Sequence, residues 1–212
     1  MHFLTQEIWF PDVSEASEEG LLAIGGDLSP ERLHLAYRSG IFPWYSDGQP
    51  ILWWSPDPRM VMFPEKLYVS KSLRKTINKG YFEITFNQCF EEVIHNCAAV
   101  KREQQPGTWI TNEMIESYII LHEIGVAKSV EVWKEDQLVG GLYGIDLKEQ
   151  AVFCGESMFS KESDASKVGL FYLVEDLKER NYKLIDCQVY TDHLARLGAE
   201  EISRELFLSY LK

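Results

Sequence analysis

Two apolar segments of this chain carry polar groups where a β-strand would bury them. In Phe153-Cys154-Gly155-Glu156-Ser157-Met158-Phe159, period-two alternation puts Glu156 on one face with Cys154 and Met158. In Lys183-Leu184-Ile185-Asp186-Cys187-Gln188-Val189 it puts Asp186 and Gln188 on one face with Leu184. A carboxylate held among apolar neighbours must be paired or hydrogen-bonded, and carboxylates so perturbed gather at working sites. The residues alone leave two readings open: a catalytic site, or structural carboxylates that satisfy backbone or tyrosine donors.

A second constellation is aromatic. Gly40-Ile41-Phe42-Pro43-Trp44-Tyr45-Ser46 is followed by Trp53-Trp54-Ser55-Pro56-Asp57-Pro58-Arg59, so three of the six tryptophans and four prolines fall within this short stretch. Proline excludes a helix interior or a central strand there, which sets the rings on irregular backbone. Indoles beside an arginine suit a stacked nucleobase. The same residues also suit a plug over the end of a core. Lys71, Arg74, Lys75 and Lys79 are spaced for one helical face and form a local basic patch, or a plain solvated helix surface.

Composition narrows the field. With 21 basic and 33 acidic residues the net charge is −12, which argues against broad binding to a phosphate backbone but leaves room for a short nucleic-acid end held by stacking. Cys89, Cys97, Cys154 and Cys187 form no CxxC pair and sit in apolar segments, which predicts reduced thiols and no zinc site. No GxSxG, GxGxxG or Walker loop is present. No apolar run approaches the roughly 20 residues of a membrane span. The start lacks the basic and apolar regions of a signal peptide, so a cytoplasmic location without membrane partners is expected.

The elements that must position these groups follow from periodicity and punctuation. A strand is predicted at 21–24, then a helix with Ser29 at its N-cap and Pro30 at its first position, stopping at Gly40. After the aromatic loops come a strand at 59–64, a basic helix at 70–79, a strand at 82–86 and a helix at 87–99. A polar loop at 101–107 leads to a helix capped by Thr111 and stopped by Gly125. Strands at 129–134, 138–145 and 151–159 read as a meander. A long helix capped by Asp164, a strand at 182–190 and helical pieces at 193–197 and 204–211 complete the chain. The expectation is an α+β fold: a small N-terminal α/β domain over 1–62 and a larger domain over 63–212, with helices packed on a mixed, largely antiparallel sheet.

Several ordered motifs are closely similar to those of the bacterial leucyl/phenylalanyl-tRNA–protein transferases. They are Gly20-Leu21-Leu22-Ala23-Ile24-Gly25-Gly26-Asp27-Leu28-Ser29-Pro30, Gly40-Ile41-Phe42-Pro43-Trp44 and Leu52-Trp53-Trp54-Ser55-Pro56-Asp57-Pro58-Arg59. Gly107-Thr108-Trp109-Ile110-Thr111, Gly140-Gly141-Leu142-Tyr143-Gly144, Phe153 to Ser160, Ala165-Ser166-Lys167 and Leu184-Ile185-Asp186-Cys187-Gln188 follow. The resemblance implies a GNAT-like (acyl-CoA N-acyltransferase-like) larger domain. It implies an aminoacyltransferase that moves leucine, phenylalanine or methionine from aminoacyl-tRNA to the N-terminal Arg or Lys of proteins, marking them for N-end-rule degradation. No cofactor or metal is implied.

Carried over by position, Trp44, Trp109, Tyr37 and Tyr118 match the surfaces for the terminal adenosine. Leu142, Phe153, Leu170, Leu173, Leu177 and Ile185 match the pocket for the transferred side chain, and Arg74-Lys75 the patch for the acceptor stem. The catalytic positions map to Glu156, Asp186 and Gln188. On this reading Glu156 holds the ammonium of the transferred amino acid and Gln188 aligns the attacking amine. Asp186 orients Gln188 and offsets charge developing on nitrogen. Two rivals are an acyl-CoA-dependent N-acetyltransferase, for which the Arg/Gln-x-x-Gly-x-Gly/Ala pyrophosphate loop is missing, and a non-catalytic aminoacyl-tRNA-binding protein.

Overall fold

The computed structural model describes residues 2–100 and 109–212. The loop expected at 101–107, and Gly107 and Thr108 of the motif around Trp109, lie outside the described residues. In chain order the elements are β1 (His2–Leu4), β2 (Leu21–Gly25), α1 (Pro30–Arg38), β3 (Phe42–Pro43), β4 (Leu52–Trp54), β5 (Arg59–Met62), α2 (Lys71–Asn78), β6 (Glu83–Phe86) and α3 (Phe90–Ala99). They continue with α4 (Asn112–Glu123), β7 (Ala127–Lys134), β8 (Gln137–Leu147), β9 (Val152–Ser160), α5 (Ala165–Glu179), β10 (Leu184–Gln188), α6 (Asp192–Arg196), β11 (Glu200–Ile202) and α7 (Arg204–Tyr210).

The helix starts are set by local chemistry. Thr111 accepts the N–H of Met114 at 3.2 Å and caps α4 as expected, while Ser70, expected within the basic helix, accepts the N–H of Leu73 at 3.2 Å and caps α2. Asp164 stands at the N-cap of α5 but does not cap it. Its φ is +65° and its carboxylate pairs with Lys167 at 2.9 Å. Ser29 likewise makes no cap bond; Asp27 accepts its N–H instead. Helix α3 begins after residue 87 because Asn87 has φ +59° and its side chain accepts the N–H of Ser129 at 3.0 Å. At Gly40, φ is +74°, a conformation that favours glycine, and an added Cβ would also press on the Leu208 side chain of α7 at 2.7 Å.

Two sheets result, and the α+β expectation holds. The small one has four strands in the order β1-β2-β4-β3, and the large one seven, in the order β11-β5-β10-β9-β8-β7-β6. Every neighbouring pair of the large sheet is antiparallel except β9 and β10, whose parallel pairing requires a crossover that α5 supplies. Strand β5 precedes the division expected at 62/63, yet it is hydrogen-bonded into the large sheet between β10 and β11. The proline-broken aromatic stretch holds two short strands, β3 and β4, where irregular backbone was expected throughout.

Helices α3 and α4 pack on one face of the large sheet and α5 on the other. The first face shares one apolar core with the small sheet, α1 and α7, through residues such as Leu33, Trp53, Val61, Tyr143 and Phe207. The second is a core of its own, built on Met60, Met62, Leu142, Phe153, Leu173 and Ile185. Among the described residues, no helix is long and apolar enough to cross a membrane.

Candidate active site

Strands β9 and β10 stay paired only as far as Asp186 opposite Cys154. Beyond that point both chains are irregular. Opposite Tyr143 and Gly144 of β8 stand Ser157 and Gly155, so Glu156 is an extra residue without a partner. A side chain at Gly144 would put its Cβ 2.2 Å from the Cys154 carbonyl, so the bulge needs glycine there. On β10, Asp186 and Gln188 stand opposite Val61 and Met60, which leaves Cys187 extra and Gln188 at φ +60°. The first bulge corrects the simple alternation. Cys154 packs into the core under α3 and α4, but Met158 turns to the α5 side, so Glu156 does not share a face with both.

The parted strands open into a cleft of about 380 Å³. Gly155 to Met158 form one wall and Cys187 to Val189 the other. Met62, Leu142, Leu170, Leu173 and Ile185 make an apolar floor. Phe42, Pro43 and Trp44 from the small sheet, Trp109 before α4, and Thr191, His193 and Leu194 around α6 complete the lining. Across the gap the Gln188 side-chain amide donates to Glu156 Oε1 at 2.9 Å. Behind the carboxylate, Tyr118 donates to Oε2 at 3.3 Å and shares a short hydroxyl–hydroxyl bond with Tyr37.

This enclosure sets the protonation of the site. Burial pushes the Glu156 carboxyl up to about 8. The Tyr37 hydroxyl bond opposes the rise, the Asp186 charge adds to it, and Tyr118 and Arg59 oppose it. Burial likewise drives the Tyr37 and Tyr118 phenols well above their ordinary range, with the Glu156 charge adding. The Cys154 and Cys187 thiols are raised by burial and by Asp186, which leaves neither as a thiolate nucleophile. His193 at the rim is lowered by burial and by the cations of Lys167 and Arg196.

A family model described as leucyl/phenylalanyl-tRNA protein transferase matches residues 61–212, and one for the N-terminal domain of that protein matches 26–57. Proteins named leucyl/phenylalanyl-tRNA–protein transferase from Flavobacterium johnsoniae and Flavobacterium psychrophilum are 63% and 61% identical over the whole of this chain, which spans 99% and 100% of theirs. The chain belongs to the leucyl/phenylalanyl-tRNA–protein transferase family. Among solved structures, a ribosomal-protein-alanine N-acetyltransferase from Brucella melitensis biovar Abortus 2308 overlaps at TM-score 0.38 and 14% identity, over 55% of this chain and 86% of that one. A likeness that remote carries no functional weight.

Within this leucyl/phenylalanyl-tRNA–protein transferase family member, the cleft gathers Glu156, Gln188, Trp44, Trp109, Leu142, Leu170, Leu173 and Ile185. Phe153 and Leu177 belong to the same apolar cluster but sit behind the cleft lining. Tyr37 and Tyr118 do not present stacking surfaces: they are 1% and 0% exposed, and only their hydroxyls act on the site, through Glu156. Arg74 and Lys75 are exposed on α2, which packs against α5 outside the cleft.

Asp186 does not reach the cleft either. It is 1% exposed, and both its oxygens bind Arg59, at 2.8 and 2.7 Å. Arg59 therefore is no partner for a stacked base, contrary to its expected place beside the indoles. It is the residue that sequence reasoning most clearly missed. A charge inside the apolar run Arg59-Met60-Val61-Met62 was the available signal, because a buried cation demands a counter-charge.

The aromatic stretch divides by task. Trp53 is fully buried, with its indole N–H on the Gly25 carbonyl at 2.8 Å. Trp54 donates to the Trp44 carbonyl at 2.7 Å and meets the Trp44 ring edge-on. Trp44 is the one of the three that lines the cleft. Both sequence readings, core plug and open aromatic surface, thus describe part of the stretch.

Proposed function

We propose that the cleft receives the 3′ end of a tRNA charged with leucine, phenylalanine or methionine and passes the aminoacyl group to the N-terminal Arg or Lys of an acceptor protein. The observation that carries this reading is the Glu156–Gln188 pair, set across parted strands above an apolar floor and beside two accessible indoles. Trp44 and Trp109 would stack the terminal adenosine. The transferred side chain would sit against Leu142, Leu170, Leu173 and Ile185, and Glu156 would take its α-ammonium. An ammonium beside this carboxyl favours the ionised form, which offsets the burial that otherwise keeps it protonated near neutral pH.

The ester is already activated, so the protein's work is to place an amine against its carbonyl carbon. An α-amino group has a pKa of about 8, so a usable fraction is neutral at pH 7. The nitrogen forms the new C–N bond, the C–O bond to the ribose breaks, and the proton lost by nitrogen ends on the ribose oxygen, directly or through water. Gln188 aligns the incoming amine by hydrogen bonding; a neutral amide is too weak a base to take its proton. The exposed Arg74 and Lys75 would meet stem phosphates outside the cleft.

Incubation with leucyl- or phenylalanyl-tRNA and a peptide beginning with arginine tests the reading. A product heavier by one leucyl or phenylalanyl residue at the N-terminus is expected. An unmodified peptide with both donors would reject it.

A further inference from the structure

Arg59 is 1% exposed, and burying a guanidinium is costly unless the whole group is matched. Here each of its three nitrogens has a partner. Nε donates to Asp186 Oδ1 at 2.8 Å, Nη2 to Oδ2 at 2.7 Å, and Nη1 to the Gly40 carbonyl at 3.1 Å. The guanidinium carbon lies 4.8 Å from the centre of the Phe42 ring and 4.6 Å from that of Phe207. The pair is thereby clamped by the small sheet, the large sheet and the C-terminal helix together.

Asp186 Oδ1 has a second donor, the backbone N–H of Gln188 at 3.0 Å. That bond spans the extra residue Cys187 and closes onto a residue at φ +60°. A non-glycine residue holds such a conformation only where its surroundings enforce it. A further restraint on Gln188 is its own amide on Glu156. An unbroken series of bonds therefore runs from Gly40 through Arg59, Asp186 and Gln188 to Glu156.

We propose that Arg59 is a positioning residue for the transfer step: it fixes Asp186, and Asp186 holds the bulge that aims Gln188 across the cleft. The inference rests on the transfer reading above. It departs from the resemblance in not giving Asp186 the charge developing on nitrogen, because a carboxylate neutralised by a bidentate arginine and shut off from the cleft steadies the backbone instead of the reacting nitrogen. The ion pair acts as a unit, and neither charge is needed once the other is gone.

Four proteins test this: wild type, Asp186→Asn, Arg59→Met and the double variant, each assayed with leucyl-tRNA and an arginine-starting peptide. Each single change leaves one buried charge unmatched and is expected to lower kcat at least about tenfold with donor KM nearly unchanged. The double variant is neutral throughout, and the amide oxygen introduced at 186 still accepts the Gln188 N–H. It should recover to within about fivefold of wild type, the signature of coupled residues. A double variant no faster than Asp186→Asn would overturn the proposal, since the charge itself would then be acting in the reaction. Arg59→Lys gives an independent check, because it keeps the charge but loses the fork. The Gln188 side-chain amide resonance should shift and kcat should fall, both read well below the variant's melting temperature; an unmoved resonance with unchanged kcat counts against the idea. If the wild type itself forms no product, it is the transfer reading that fails.

Discussion

Gln188 and Glu156 meet across the mouth of two strands that are neighbours only up to Asp186 and Cys154, and their 2.9 Å bond joins the two walls side chain to side chain. Each is presented by a bulge, one at Glu156 itself and one at Cys187. A regular pair of strands would have closed the cleft with backbone bonds and turned both side chains into the pleat. The site therefore exists because the sheet is broken at matching heights on adjacent strands.

The protonation of Glu156 should be visible in stability. Its carboxyl stands at about 8 in the fold against an ordinary value of 4.5. Below the lower value both folded and unfolded chains hold the proton, and the group costs nothing. As pH rises between the two values the unfolded chain releases its proton first, so stability falls across that window. Glu156→Gln removes the effect. Its melting temperature should match or trail wild type near pH 5 and exceed it near pH 8, by an amount on the order of a few kcal/mol in unfolding free energy. Parallel curves for the two proteins would show that the carboxyl is not held protonated.

Much of this architecture was legible in the chain, and the exceptions share a cause. Thr111 and Gly40 act on backbone groups within a few residues, so their roles could be read locally. The meander from 129 to 159 was legible because its alternation and turns are local too. The short edge strands β1 and β11 draw their bonds from distant partners, and nothing in three residues announces that. The bulges are set by register against a neighbouring strand, so alternation placed Met158 on the wrong side. Arg59 and Asp186 are 127 residues apart in sequence, and only the fold shows that each is the other's counter-ion.

The thiols should be passive. Cys97, Cys154 and Cys187 are buried and Cys89 is half-buried, none of them in a disulfide, and burial raises the Cys89, Cys154 and Cys187 thiols. Brief treatment of the native protein with an alkylating reagent should label Cys89 first and leave transfer intact. Rapid labelling of Cys187 with loss of activity, or a stable aminoacyl thioester on Cys154 or Cys187, would contradict direct attack by the acceptor amine.

Tyr118→Phe separates two roles for a tyrosine. If Tyr118 served by its ring, the change would be silent. Because its hydroxyl donates to Glu156 and lowers the carboxyl's pKa, removing it should move that pKa upward and weaken the hold on an ammonium at neutral pH. The loss of one hydrogen bond to a charged group is worth about 1.5–3 kcal/mol. Donor affinity should fall accordingly at pH 7, and the gap to wild type should narrow by pH 9, where the donor's own amine is largely neutral for both proteins. An unchanged affinity across that range would remove Tyr118 from the site.

Trp44→Ala should weaken binding of aminoacyl-adenosine by about 1–3 kcal/mol, the usual worth of one base–aromatic stack. Trp44 lines the cleft while Trp53 lies fully in the core, so the corresponding change at Trp53 should instead lower the melting temperature. Lys75→Ala acts at a different place. The side chain is exposed on α2, outside the cleft, so the minimal donor should bind as before and only full aminoacyl-tRNA should bind more weakly. That weakening should fade as salt rises, because the lysine contribution depends on releasing counterions from the stem, whereas the Trp44 effect should be nearly independent of salt. Equal losses at Lys75 for the nucleoside and the whole tRNA would place the basic helix at the cleft. A Trp44 variant with unaltered affinity for aminoacyl-adenosine would return the aromatic loop to a purely structural part.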